Sequence, residues 1–116
     1  MFALREQVVL ISGASRGLGR ALAVEFARQG ASVVINSRPH SANGLTETEQ
    51  LLRALNAPVL SVLADVSQRA DVERLAGEAL ARFGRVDILF RLWVWMTKWS
   101  ERIYEIRKRK MSDMIS

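Results

Sequence analysis

Gly13, Gly17 and Gly19 stand between an apolar run, Val8-Val9-Leu10-Ile11, and a stretch whose apolar residues recur with helical spacing. A helix start exposes backbone N–H groups that have no partner inside the helix, and the helix dipole adds partial positive charge there. A diphosphate suits such a turn. Gly13 permits the tight bend, Gly17 brings the backbone close to a ligand, and Gly19 lets helix and strand pack closely. Ser15 adds a hydroxyl donor, Arg16 a cation and Leu18 the first apolar side chain of the helix. The candidate contact set of this loop is therefore Gly13, Ser15, Arg16, Gly17, Leu18 and Gly19.

These residues need a strand before them and a helix after them. Residues 6–12 read as that strand, nearly all apolar, as expected where both faces are buried. The helix after Gly17 sets Leu18, Gly19, Leu22, Ala23 and Phe26 on one face, and Gly30 ends it. Residues 31–36 form a second strand, and residues 37–44, with Pro39, read as a loop. Thr46 and Glu49 make a capping box that opens a second helix through Leu51, Leu52 and Leu55. Pro58 precedes a third strand over 59–64. Ser67 caps a third helix with the stripe Val72, Leu75, Ala76, Ala79 and Phe83, ended by Gly84. Residues 86–90 read as a fourth strand. This alternation predicts an α/β fold with a parallel sheet and right-handed crossovers.

At Ser12-Gly13-Ala14-Ser15-Arg16-Gly17-Leu18-Gly19 the chain resembles the short-chain dehydrogenase/reductase family, whose fingerprint reads Thr-Gly-x-x-x-Gly-x-Gly. Ser replaces Thr, and the resemblance runs over about residues 6–90. It implies a Rossmann-like sheet in the order 3-2-1-4, with the cofactor crevice between the first and fourth strands. It also implies an adenine site at Asp65 and Val66, where the carboxylate accepts from the exocyclic amine and the next residue flanks the ring. Taken alone, an Asp after a strand is a turn or capping residue.

Roughly 20 residues past the glycines, a dinucleotide fold places the side chain that reads the adenosine ribose. A carboxylate there accepts from a free 2′-hydroxyl and repels a 2′-phosphate. This chain has Asn36-Ser37-Arg38 instead. Ser37 offers a hydroxyl, and the Arg38 guanidinium can fork onto a phosphate, with Arg16 expected in the same region. The expected cofactor is NADP(H).

With 116 residues the chain has room for one domain. Composition is that of a soluble globular protein, 49% hydrophobic and 25% charged, and no apolar run approaches the length of a membrane span. No cysteine is present, which removes disulfide and thiol chemistry, and a cytoplasmic location is expected. The charge is uneven. Residues 1–90 hold 10 basic and 9 acidic residues, whereas residues 91–116 hold 7 and 3. All three Trp, the only Tyr and all three Lys lie after Phe90, and all seven Gly lie before it. This change divides a dinucleotide-binding domain, 1–90, from a basic, helical tail, 91–116, that departs from the family.

The family's next residues after the fourth strand are Asn-Asn-Ala-Gly, and this chain reads Phe90-Arg91-Leu92-Trp93. The family's fifth strand with the catalytic Ser and its Tyr-x-x-x-Lys helix do not fit within residues 91–116. Tyr104 and Lys108 do spell Tyr-x-x-x-Lys, but they sit in a basic run with no strand before them and read as a chance match. A truncated oxidoreductase with little or no activity by itself is expected. The alternative is a non-catalytic nucleotide-binding or interaction module that uses the exposed sheet edge or the basic tail, with a protein partner or self-association through the fourth-strand edge. Binding of nucleic acid or membrane by the tail is not expected.

Overall fold

The run Val8–Ser12 forms β1, whose five residues are all buried. β-branched and large aliphatic side chains are at home on a pleat covered on both faces. In the computed structural model, which describes residues 4–90, β1 is the second strand from one edge of a parallel sheet. The chain continues through α1 (Gly17–Arg28), β2 (Ser32–Ser37), a 3-10 turn (Pro39–Ser41), α2 (Ala42–Ala54), β3 (Val59–Leu63), α3 (Arg69–Phe83) and β4 (Ile88–Phe90). The strand order is β3-β2-β1-β4. Val9 lies beside Val33 of β2 and Ile88 of β4, and Ile35 lies beside Ser61 of β3.

The two faces of β1 feed two cores. Val8 and Leu10 pack with Val34, Val62, Leu75 and Ala76 in one cluster. Val9 and Ile11 pack with Val33, Ile35, Ala23 and Leu52 in the other. The period-2 alternation of a strand thus delivers neighbouring residues to α3 on one side and to α1 and α2 on the other. Each large aliphatic side chain buried in this way contributes about 1.5–3 kcal/mol. At the start of β4, Asp87 Oδ2 accepts from the Val8 amide at 2.7 Å, and Oδ1 takes both Nε and Nη2 of Arg85. The Arg85 contact raises the Arg85 pKa, and the bonds between Asp87 and Val8 tie the start of β4 to β1. Among the described residues, no helix is long and apolar enough to cross a membrane.

Several elements differ from the sequence expectation. β1 begins at Val8 and not at residue 6, because Glu6 takes a positive φ of 70°. β4 is confined to Ile88–Phe90, with Val86 and Asp87 outside it. α2 begins at Ala42, with Ser41 as its N-cap, so residues 42–44 are helix, and Thr46 and Glu49 lie inside the helix without forming a capping box. Pro39 explains the shift: its fixed φ suits the opening of a helical turn, and the 3-10 turn it starts runs straight into α2. α3 is capped at Gln68 with no side-chain bond, and the Ser67 hydroxyl turns to Asp65 instead. Leu18 is 64% exposed, so it stands outside the apolar face that Ala23 and Ala27 bury. The expected helical tail, with Tyr104 and Lys108, lies outside the described residues.

Candidate functional site

At the carboxyl ends of β1, β2 and β3 the loops part around a cleft of about 190 Å³. Parallel strands direct their ends to one side of a sheet, and ligands of open α/β folds bind there. Gly13 and Ser15 line the cleft from the first loop, Ser37, Arg38, His40 and Ser41 from the second, and Val66 from the third. The expected crevice lay between β1 and β4. The cleft lined by described residues lies beside it, over the ends of β1, β2 and β3, where the residues after β2 come together with the glycine turn.

The glycine turn has the conformation that its composition demands. Gly13 and Gly17 take φ values of 76° and 58°, where a side chain is strained. A Cβ at Gly17 would meet nothing within 4 Å, so the backbone there is open. A Cβ at Gly19 would fall directly on the Gly13 carbonyl oxygen. The Gly13 and Ala14 amides are not free: both donate to the Asn36 carbonyl, at 2.9 and 3.0 Å. Arg16 is the N-cap of α1, extended, exposed and without a side-chain cap bond, and the first turn of α1 carries no acidic residue. Its open amides are the electropositive part of the site. Of the expected set, Gly13, Ser15, Ser37, Arg38 and Val66 line this cleft, and Arg16, Gly17, Leu18, Gly19 and Asp65 are not among its lining residues.

Arg38 lines the cleft with its side chain 52% exposed, 3.9 Å from Asp65 Oδ1. Asp65 itself lies just outside the lining. Its Oδ1 accepts from the Ser67 hydroxyl at 2.6 Å and the Ser67 amide at 3.0 Å, the bonding of an Asx turn. These bonds, with Arg38 and His40 nearby, hold the Asp65 pKa below the usual carboxylate value. Among the described residues, Asp65 Oδ2 has no hydrogen-bond donor, so one carboxylate oxygen is left for an amine.

Three lining residues have no plain signal in the sequence. His40 and Ser41 enter the cleft because the 3-10 turn folds back from Arg38, and Pro39 is the only local hint of it. Asn36 is the third. Its Oδ1 accepts from the Ser12 hydroxyl at 3.1 Å, and its Nδ2 donates to the carbonyls of Val62 and Ala64 at 3.1 and 3.2 Å. It is 1% exposed and ties the ends of three strands into one floor.

A family model described as short chain dehydrogenase matches residues 7–115, past the change of composition at Phe90. A hydroxynaphthalene reductase of Aspergillus fumigatus is 37% identical over 86 residues, which is 74% of this chain and 31% of that protein. A short chain dehydrogenase/reductase of Burkholderia phymatum, solved in complex with NAD, superposes with a TM-score of 0.70 at 39% identity, covering 77% of this chain and 31% of that one. A glucose dehydrogenase of Caenorhabditis elegans in its apo form gives 0.75 at 32% identity, covering 91% of this chain and 50% of that one. The chain spans about a third of the length of the curated relatives it matches. With the glycine turn, the strand order and the family match in agreement, the chain belongs to the short-chain dehydrogenase family.

Proposed function

We propose that this chain is the NADP(H)-binding part of an oxidoreductase that passes hydride between a nicotinamide and a carbonyl or alcohol. The carrying observation is the cleft in which Ser37, Arg38, His40 and Ser41 gather beside Gly13 and Ser15 at the sheet's carboxyl edge. The turn fits a dinucleotide, since its backbone is open at Gly17 and the first turn of α1 holds no competing carboxylate. In this reading the α1 amides and Ser15 hold the diphosphate, with Gly13, Gly17 and Gly19 giving the turn its shape and Leu18 covering it. Ser37 and Arg38 hold the ribose phosphate, Asp65 Oδ2 takes the adenine amine, and Val66 lies against the ring. The bound nucleotide would supply the hydride.

The Burkholderia phymatum relative holds NAD, so the choice of NADP(H) rests on this chain's own Arg38. A guanidinium on a phosphate contributes about 1.5–3 kcal/mol, which is roughly 10- to 150-fold in affinity. Half exposure and the nearby Asp65 place Arg38 at the lower end, about tenfold. Fluorescence titration of the chain is expected to show tighter binding of NADPH than NADH, and Arg38→Ala to remove most of that difference. Tighter binding of NADH by the unaltered chain would overturn the cofactor choice.

Residues 1–90 are the unit proposed to bind nucleotide. Every Tyr and Lys of the chain lies beyond residue 90, so none stands among the described residues beside the cleft. We therefore read the 116-residue chain by itself as a nucleotide binder with little or no turnover. NADPH oxidation over a panel of ketones, lost in Tyr104→Phe, would reverse that reading.

A further inference from the structure

Arg20 follows Gly19 on α1, and its guanidinium leaves its own helix to reach α2. Nη2 donates to the Ser15 carbonyl at 2.6 Å and the Gly44 carbonyl at 2.9 Å, and lies 3.1 Å from Glu47 Oε2. Nε donates to Thr48 Oγ1 at 2.9 Å. The fully buried Thr48 hydroxyl in turn donates to the Ala14 carbonyl at 2.7 Å. Gly44 closes the same contact, because a Cβ there would stand 2.6 Å from the Ser15 carbonyl oxygen. Two successive carbonyls of the glycine turn, those of Ala14 and Ser15, are thus held from the side of α2.

A trans peptide unit is planar, with its C=O and N–H pointing in opposite directions. Turning the Ala14 and Ser15 carbonyls towards α2 therefore turns the amides of Ser15 and Arg16 away from it. Among the described residues, neither amide has a protein acceptor. Two donors are left facing out of the turn by bonds made on the opposite side of the same peptide units.

We propose that Arg20 and Thr48 are positioning residues, which aim the Ser15 and Arg16 amides at the diphosphate by anchoring the preceding carbonyls on α2. The proposal rests on the nucleotide reading above. It also gives the helical glycine at position 44 its reason: α2 must come within van der Waals reach of the turn it holds.

The test compares NADPH with adenosine 2′-monophosphate, which keeps the ribose phosphate and lacks the diphosphate. Both are titrated by calorimetry against the full chain and its variants, with circular dichroism and melting curves as checks of folding. Arg20→Met and Thr48→Val are expected to weaken NADPH by about tenfold and leave adenosine 2′-monophosphate unchanged. Thr48→Ser keeps the hydroxyl and is expected to bind both ligands as the unaltered chain does. Arg20→Lys is not expected to restore NADPH affinity, since an ammonium is a single point and cannot fork between Ser15, Gly44 and Thr48.

Unchanged NADPH affinity in folded Arg20→Met and Thr48→Val would overturn the proposal. So would parallel loss of both ligands, and so would rescue by Arg20→Lys, which would make the effect one of charge alone. If Arg20→Met does not fold, the Thr48→Val and Thr48→Ser pair decides by the same comparison. If neither Arg20→Met nor Thr48→Val folds, the bonds are structural and the proposal falls. An unaltered chain that binds neither ligand would instead bring down the nucleotide reading itself.

Discussion

Gly19→Ala is expected to cost the chain its grip on NADPH and to lower its melting temperature by about 10 °C or more. The added Cβ would fall on the Gly13 carbonyl oxygen, and would also lie 2.8 Å from the Gly13 carbonyl carbon and 3.0 Å from Ala14 Cα. All three are backbone atoms, so no rotamer change relieves the clash. Gly13 cannot yield cheaply either, because its amide and that of Ala14 are pinned to the Asn36 carbonyl. Overpacking of this kind costs about 1–3 kcal/mol or more, against about 1 kcal/mol gained from the better helix propensity of Ala. Steric strain therefore wins, and relieving it means moving α1 away from the turn whose amides the ligand needs.

Gly77 supplies the control. It also lies inside a helix, α3, but a Cβ there would meet nothing within 4 Å. Gly77→Ala is expected to stabilise the fold by about 0.5–1 kcal/mol and to leave NADPH binding unchanged. Melting curves of the two variants should move in opposite directions. A Gly19→Ala protein that melts and binds like the unaltered chain would show that helix and turn do not touch as described.

Much of this architecture is legible in the sequence because its signals are local. The apolar run before Gly13, the helical spacing after it and the βα alternation suffice for a parallel sheet, and the resemblance at Ser12 to Gly19 carries the order 3-2-1-4. Where the sequence misleads, the cause is a contact between distant residues. Gly44 reads as loop because glycine is a poor helix former. The structure keeps it helical since only glycine lets α2 reach the Ser15 carbonyl. Arg20 and Thr48 carry no signal in the local sequence, yet they bond each other and hold the turn across 28 positions of sequence. Asp65 shows the opposite case: its local bonding to Ser67 is that of a turn, as an Asp after a strand suggests by itself. Asn36 stands out in the sequence only for lacking a carboxylate, and its amide proves to be the tie that binds the strand ends.

That tie can be tested with almost no change of shape. Asn36→Asp replaces the Nδ2 donor by an oxygen, which then faces the Val62 and Ala64 carbonyls at about the same 3.1 and 3.2 Å. At a position 1% exposed the new oxygen gains little from water, and among the described residues no cation is bonded to the group. Burial and the two facing carbonyl dipoles both disfavour the charged form, so the folded-state pKa of the new carboxyl is raised above its unfolded value of about 3.9. For a raised acid, the penalty is absent below the unfolded pKa. It grows as pH rises towards the folded pKa and stays constant above it. The loss relative to the unaltered chain is therefore expected to be about 3 kcal/mol near pH 7. Near pH 4 it should shrink to about 1 kcal/mol, because a protonated carboxyl can still donate to one of the two carbonyls. Asp65, whose pKa is lowered, weakens both proteins alike on acidification and cancels in the difference. Denaturant unfolding of both proteins at the two pH values measures it. A difference that is the same at both would mean that the Asn36 amide does not face the β3 carbonyls, and that the floor of the cleft is held by other groups.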